Sequence, residues 1–248
     1  MAFTAKDVAE LRKQTGCGMM DCKKALNDAN GDFEKAVEIL REKGLAAATK
    51  KAGRIAAEGM VYATTCSKCN VGVLLEVNAE TDFVAKNEKF VEFVKGVAAT
   101  VAANKPADLD ALMECTYAGS EMKVADKQTE MIQVIGENIK VRRFHLFAEN
   151  TSVSYIHAGG KIGVLVNLKV EGDIDATEIG KDVAMQIAAL NPRFWDKSQV
   201  SQEVLDEEKK IMMAQMAADP KMANKPEQVR EKIVMGKLNK FYSENCLL

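Results

Sequence analysis

Residues 62–77 read YATTCSKCNVGVLLEV and residues 155–170 read YIHAGGKIGVLVNLKV. Aligned on their tyrosines, each stretch predicts two β-rich runs around a turn, the second run strongly apolar. A helical pattern with a related ending follows each, AANKP at 102–106 after the first and AALNP at 188–192 after the second. Two hairpin-plus-helix units of matching design point to a duplicated α+β core, each amphipathic helix covering one face of its sheet. We therefore expect one core subdomain over residues 59–140 and a second over 141–248.

Further elements fill the space around the repeat. Helical stretches are expected near 108–114 and 121–137, and VRRFHLF at 141–147 reads as a strand opening the second subdomain. Beyond the second unit, helical patterns at 202–217 and 227–242 flank DPKMANKP at 219–226. Its two prolines favour a turn, so an antiparallel helical hairpin over about 202–242 is expected to project from the body.

The first 45 residues read as a three-helix bundle. Thr4 and Asp7 have capping-box spacing, and Gly16 and Gly18 break the chain after the first helix. A second helix from about Met19 to Ala29 places Met19, Cys22, Leu26 and Ala29 on one face, and Asn30-Gly31-Asp32 supplies the next turn. Phe33, Ala36, Val37 and Leu40 then follow helical spacing, with Gly44 as the expected stop. Residues 46–58 read as an Ala-rich helical connector without a strong apolar stripe.

Composition narrows the function. The 248 residues carry 34 basic and 36 acidic side chains, a net charge of −2, mixed along the chain. Such a pattern lacks the basic stripe that phosphate backbones require, so direct nucleic-acid binding is not expected. The apolar runs at 71–75 and 162–166 fall far short of the roughly 20 residues of a membrane helix. MAFTAKDVAE has no apolar leader core, and sparse cysteine with 13 methionines suits a reducing compartment. A cytoplasmic protein is expected.

Cys66 and Cys69 have C-x-x-C spacing, but a structural zinc site needs four ligands and no second pair is present. The context is strand-turn-strand, not the helix N-terminus that activates a redox thiol. Two ordinary thiols at a hairpin turn are therefore expected, with no metal. Neither phosphate-binding glycine motif occurs, and His145 and His157 have no nucleophile partner that the sequence singles out. No catalytic residue is expected, and the chain does not read as an enzyme.

Two places stand apart. Met20 falls about 100° from the Met19 face, beside Lys23, Lys24 and Asn27, so it is expected to be exposed, and methionine suits adaptable contact surfaces. Phe83 lies in ETDFVAKNEKF at 80–90, behind two acids and Thr81, a plausible N-cap. Seven residues before Phe90, it is nearly in register with the buried stripe of the following helix; in a first turn, however, a side chain can also point past the helix end. Spacing leaves both positions open.

LRKQTGCGMMDCKKAL at 11–26, NGDFEKAV at 30–37, TDFVAKN at 81–87, GENIKVRR at 136–143 and HAGGKIGVLV at 157–166 together closely resemble the bacterial elongation factor Ts family. The resemblance runs in order to residue 248. It implies a guanine-nucleotide exchange factor for the translational GTPase elongation factor Tu, with no cofactor or small-molecule substrate of its own. It also implies that residues 1–45 resemble a ubiquitin-associated (UBA) domain, ahead of a duplicated core with a protruding hairpin. By the family motif, Thr81, Asp82, Phe83 and Val84 are carried over as the segment inserted beside the partner's Mg²⁺ and phosphate-binding region, with Phe83 as the wedge. Met19 and Met20 match a Met-Met pair that touches the partner's nucleotide domain, Lys23 shares their helix, and Ile162 with Gly163 matches a core contact. Two departures stand out. Gln186 occupies a position where many relatives have histidine, and the resemblance therefore implies an altered contact there. The sequence also stops at CLL where many relatives continue into a further helical module, and weaker partner binding is expected from that.

Overall fold

The strand Val71–Ala79 (β2) is buried along almost its whole length and is the central strand of its sheet. Its partners are Glu58–Cys66 (β1) and Lys140–Phe147 (β3), in an antiparallel sheet of order β1-β2-β3. The computed structural model describes residues 3–66, 70–219 and 226–248. Val71, Val73, Leu75, Val77 and Ala79 point to one face of the sheet. There they meet Phe90, Phe93, Val94, Val97, Ala98 and Val101 of the helix Glu88–Asn104 (α5, the fifth helix in chain order), with Leu112, Val124, Met131 and Ile132 completing the cluster.

The helices before α5 are Ala5–Thr15 (α1), Met19–Asp28 (α2), Phe33–Lys51 (α3) and the single turn Asp82–Ala85 (α4). Leu109–Glu114 (α6) and Val124–Ile135 (α7) follow it. The expected cap of α1 is present: the Thr4 amide donates to Asp7 Oδ2 at 2.6 Å, and the Asp7 amide donates to Thr4 Oγ1 at 3.4 Å. Val8, Leu11, Cys22, Ala25, Leu26, Ala36 and Leu40 close a small core among α1, α2 and α3. Met19, expected on that buried face, is 44% exposed, because the buried set of α2 begins one turn later at Cys22.

Gly44 does not stop the third helix, which continues to Lys51. The residue is buried against α7, where a Cβ would lie 2.6 Å from Gln133 Oε1. Close helix packing, not chain reversal, accounts for this glycine. The helical part of the expected connector therefore belongs to α3.

Thr151–His157 (β4) and Ile162–Leu168 (β5) form a second, two-stranded antiparallel sheet. It lies on the face of β1-β2 opposite α5: a Cβ on Gly163 would come within 2.4 Å of Val61 Cγ1 and 3.0 Å of Leu74 Cδ1. On the far side, Gly180 of the helix Thr177–Leu190 (α8) packs against Val153 and Leu168. Because Gly163 sets the spacing between the sheets, Gly163→Val is expected to destabilise the chain by about 1–3 kcal/mol through overpacking. A thermal melt checks this; an unchanged Tm would mean that the sheets part without cost.

One strand departs from expectation. Residues 141–147, assigned to the second subdomain, pair with β2 and complete the first sheet. The register slips between Glu76 and Val77, leaving Arg142 as an extra residue. Glu76 thereby receives both Arg142 Nη1 at 3.3 Å and Arg143 Nε at 2.6 Å, which alternation along a regular strand would send to opposite faces.

The chain divides within α8 into Met1–Ala184 and Met185–Leu248. In the second unit, Gln202–Ala218 (α9) and Glu227–Asn245 (α10) pack together, with Val200, Phe241 and Cys246 buried against Phe194, Leu205 and Met212. The C-terminal residues pair back onto the stretch before α9: the Leu247 and Leu248 amides each donate at 3.0 Å to the carbonyls of Phe194 and Trp195. Residues 220–225 of the expected proline turn lie outside the described residues, as does Cys69. Cys66 is disulfide-bonded, so the ordinary thiol expected there is not present. Among the described residues, no helix is long and apolar enough to cross a membrane.

Candidate functional site

The turn α4 answers the question left open for Phe83. Its side chain is 80% exposed, while the next residue, Val84, is buried in the main core cluster. A four-residue helix has almost no stability of its own, so its geometry must come from attachments. Three are present. Val84 anchors it below, Asn87 caps α5 just beyond by accepting from the Lys89 amide at 3.0 Å, and Asp82 pairs with Lys86 at 3.4 Å across the turn.

The N-terminal attachment was not foreseen. Thr81 occupies the N-cap position but makes no side-chain capping bond. Its hydroxyl instead donates to Glu137 Oε1 at 2.7 Å, and Glu137 Oε2 accepts from the amides of Glu80 at 3.1 Å and Thr81 at 3.0 Å. The return contact is equally close: the Asn138 amide donates to Glu80 Oε1 at 2.6 Å. Arg54 joins the network, its guanidinium 3.5 Å from Glu80 and its carbonyl accepting from Asn138 Nδ2 at 2.8 Å. Sequence reasoning missed Glu80, Glu137, Asn138 and Arg54 as supports. The available signal was that Glu137 and Asn138 fall in GENIKVRR.

The other sequence-predicted residues lie on separate elements. Met19, Met20 and Lys23 are exposed on α2, with Met20 62% exposed as expected. Ile162, 41% exposed, begins β5 beside Gly163, where the chain passes close to Val61 and Leu74. Gln186 is exposed on α8, in the second unit. The structure thus brings Thr81, Asp82, Phe83 and Val84 into one turn and leaves the remaining residues on three other elements. Among the described residues, no group of three or more His, Cys, Asp or Glu is placed to hold a metal ion.

Single exposed apolar side chains are common on protein surfaces, but Phe83 is held on a turn whose N-terminal side is hydrogen-bonded and whose next residue, Val84, is anchored in the core. A family model described as Elongation factor TS matches residues 80–248. Relatives named Elongation factor Ts from Syntrophotalea carbinolica and Trichlorobacter lovleyi are 51% and 50% identical to this chain, over 100% of its length and 81% of theirs. Another from Clostridium kluyveri is 48% identical over 99% of the chain and 80% of the relative. The chain belongs to the elongation factor Ts family.

Proposed function

We propose that the chain is a guanine-nucleotide exchange factor, not itself a catalyst of a chemical step, that promotes GDP release from elongation factor Tu during protein synthesis in the cytoplasm. The segment Thr81, Asp82, Phe83 and Val84 disturbs the partner's Mg²⁺ and phosphate-binding region. The observation that carries the reading is the exposure of Phe83 on a turn held from both ends. Leaving a phenylalanine in water forgoes about 1.5–3 kcal/mol of burial, and that energy becomes available when a partner provides a pocket. If the pocket exists only when the nucleotide loop is displaced, the burial energy is coupled to weaker GDP binding, and by linkage nucleotide expels the factor.

Met19, Met20, Lys23, Ile162, Gly163 and Gln186 serve as further contacts in this reading. Met20→Ala is expected to leave stability within about 0.5 kcal/mol of the original, as an exposed substitution should. It is also expected to weaken partner binding by up to about tenfold. A melt and a binding titration check the two halves. The UBA-like bundle, the duplicated core and the protruding hairpin belong to the same proposal. They are supported by three packed helices at the N-terminus, two hairpins each followed by a helix, and the pairing of α9 with α10.

Stopped-flow release of a fluorescent GDP analogue from purified elongation factor Tu tests the proposal. Acceleration that rises with factor concentration to a plateau is expected; release at the intrinsic rate at every concentration would refute it.

A further inference from the structure

We propose that Glu137 is a positioning residue for Phe83, acting through a two-way clasp between residues 80–81 and 137–138, an inference that rests on the exchange-factor reading. The Glu137 carboxylate accepts three hydrogen bonds, from the Glu80 amide, the Thr81 amide and the Thr81 hydroxyl, at 2.7 to 3.1 Å. These are the last donors before the turn that carries Phe83 begins at Asp82. Hydrogen bonds to an ionised acceptor are shorter and stronger than neutral ones, and several to one carboxylate fix orientation as well as distance.

The clasp is reciprocal, which sets it apart from an ordinary surface contact. Glu80 sends its own carboxylate back to the Asn138 amide, and Arg54 balances that charge while its carbonyl holds the Asn138 side chain. The segment bearing Glu137 is itself well placed. It follows the left-handed Gly136 that ends α7, and it leads into Ile139 and Val141, both buried in the main core. The first sheet and α7 thus fix Glu137, Glu137 fixes residues 80–81, and Val84 fixes the other end of the turn. Phe83 lies between two anchored points. A wedge that must displace a loop on another protein has to resist being pushed back. A misplacement of about 1 Å at a working group can cost about a hundredfold in rate.

This role predicts an effect that general loss of stability does not. GDP release from elongation factor Tu is measured across a range of factor concentrations for the wild type, Glu137→Ala, Glu137→Gln, Phe83→Ala and the Phe83→Ala/Glu137→Ala double variant. Loss of charged hydrogen bonds at the clasp predicts that Glu137→Ala lowers the plateau rate about tenfold or more. The half-saturating concentration moves much less, since the other contact residues are untouched. Glu137→Gln retains one carbonyl acceptor and falls between the two. In the Phe83→Ala background, Glu137→Ala produces no further loss, because the group it positions is gone. Amide hydrogen exchange speeds up at Glu80 and Thr81 in the Glu137 variants, while α5 amides keep their protection and show that the fold is intact.

The inference is overturned by a folded Glu137→Ala variant with a wild-type plateau, or by equal losses with and without Phe83. Either result, with Phe83→Ala still impaired, leaves the exchange-factor reading standing. A wild type that fails to accelerate release removes that reading and the inference with it. Should Glu137→Ala lose α5 protection, Thr81→Val removes only the hydroxyl contact. A plateau lowered several-fold, within what one charged hydrogen bond provides, with Phe83 present but not in the Phe83→Ala background then supports the clasp, and an unchanged plateau or an equal loss in both backgrounds refutes it.

Discussion

Phe83→Ala is expected to lower the maximal rate of GDP release from elongation factor Tu by about a hundredfold while leaving the melting temperature of the free chain nearly unchanged. The two halves share one cause. At 80% exposure the ring contributes little to the folded chain, so its removal costs little there. In the complex, the same ring would bury most of its surface against the displaced loop. A stabilisation of up to about 3 kcal/mol that exists only in that state corresponds to about two powers of ten in rate. Circular-dichroism melting and stopped-flow release on the same preparations check both halves. A large fall in Tm would mean that the ring supports the fold after all.

Gly96→Ala carries the largest expected effect on stability, and its sign is opposite to helix propensity. Gly96 lies within α5, where replacing glycine by alanine ordinarily stabilises by about 1 kcal/mol. Here a Cβ would fall 1.9 Å from Tyr117 Oη and 2.1 Å from its Cζ. The tyrosine is not free to swing away. Its ring stacks on Phe93 with centroids 6.1 Å apart, and its hydroxyl donates to the Glu92 and Phe93 carbonyls at 3.2 and 3.4 Å. Burial also pushes the Tyr117 hydroxyl pKa up, in keeping with a neutral donor inside the fold. Overpacking of about 1–3 kcal/mol plus a lost buried hydrogen bond of about 1–3 kcal/mol outweighs the propensity gain. A Tm fall of about 5–10 °C follows for a chain of this size. A rise in Tm would show that Tyr117 relocates at no cost.

Both predictions depend on features that differ in how far the sequence reveals them. The cap of α1, the exposure of Met20 and the two hairpins each followed by a helix are local patterns, set within a few residues, and were legible. The alternatives for Phe83 were legible too, but the choice between them was not, because helical register alone cannot tell whether a side chain one turn before a buried stripe meets a core or water. The clasp escaped notice for a different reason. Glu137 and Thr81 are 56 residues apart, and nothing in the local pattern of either segment names the other. Placing β3 failed on the same ground: proximity in sequence suggested the second hairpin, whereas its backbone pairs with β2, more than 60 residues earlier. Gly44 misled because a glycine that ends a helix and a glycine that admits a neighbouring helix look alike until the neighbour, α7, is in place.

In the proposed reading, the ring of Phe83 couples factor binding to GDP release. Linkage supplies its most direct test, the affinity of the factor for elongation factor Tu measured with the partner nucleotide-free and then GDP-bound, for wild type and for Phe83→Ala. The wild type should bind the nucleotide-free partner far more tightly, and the variant should lose most of that difference by losing affinity for the nucleotide-free form. An unchanged ratio between the two affinities in Phe83→Ala would mean that the ring does not couple the two events.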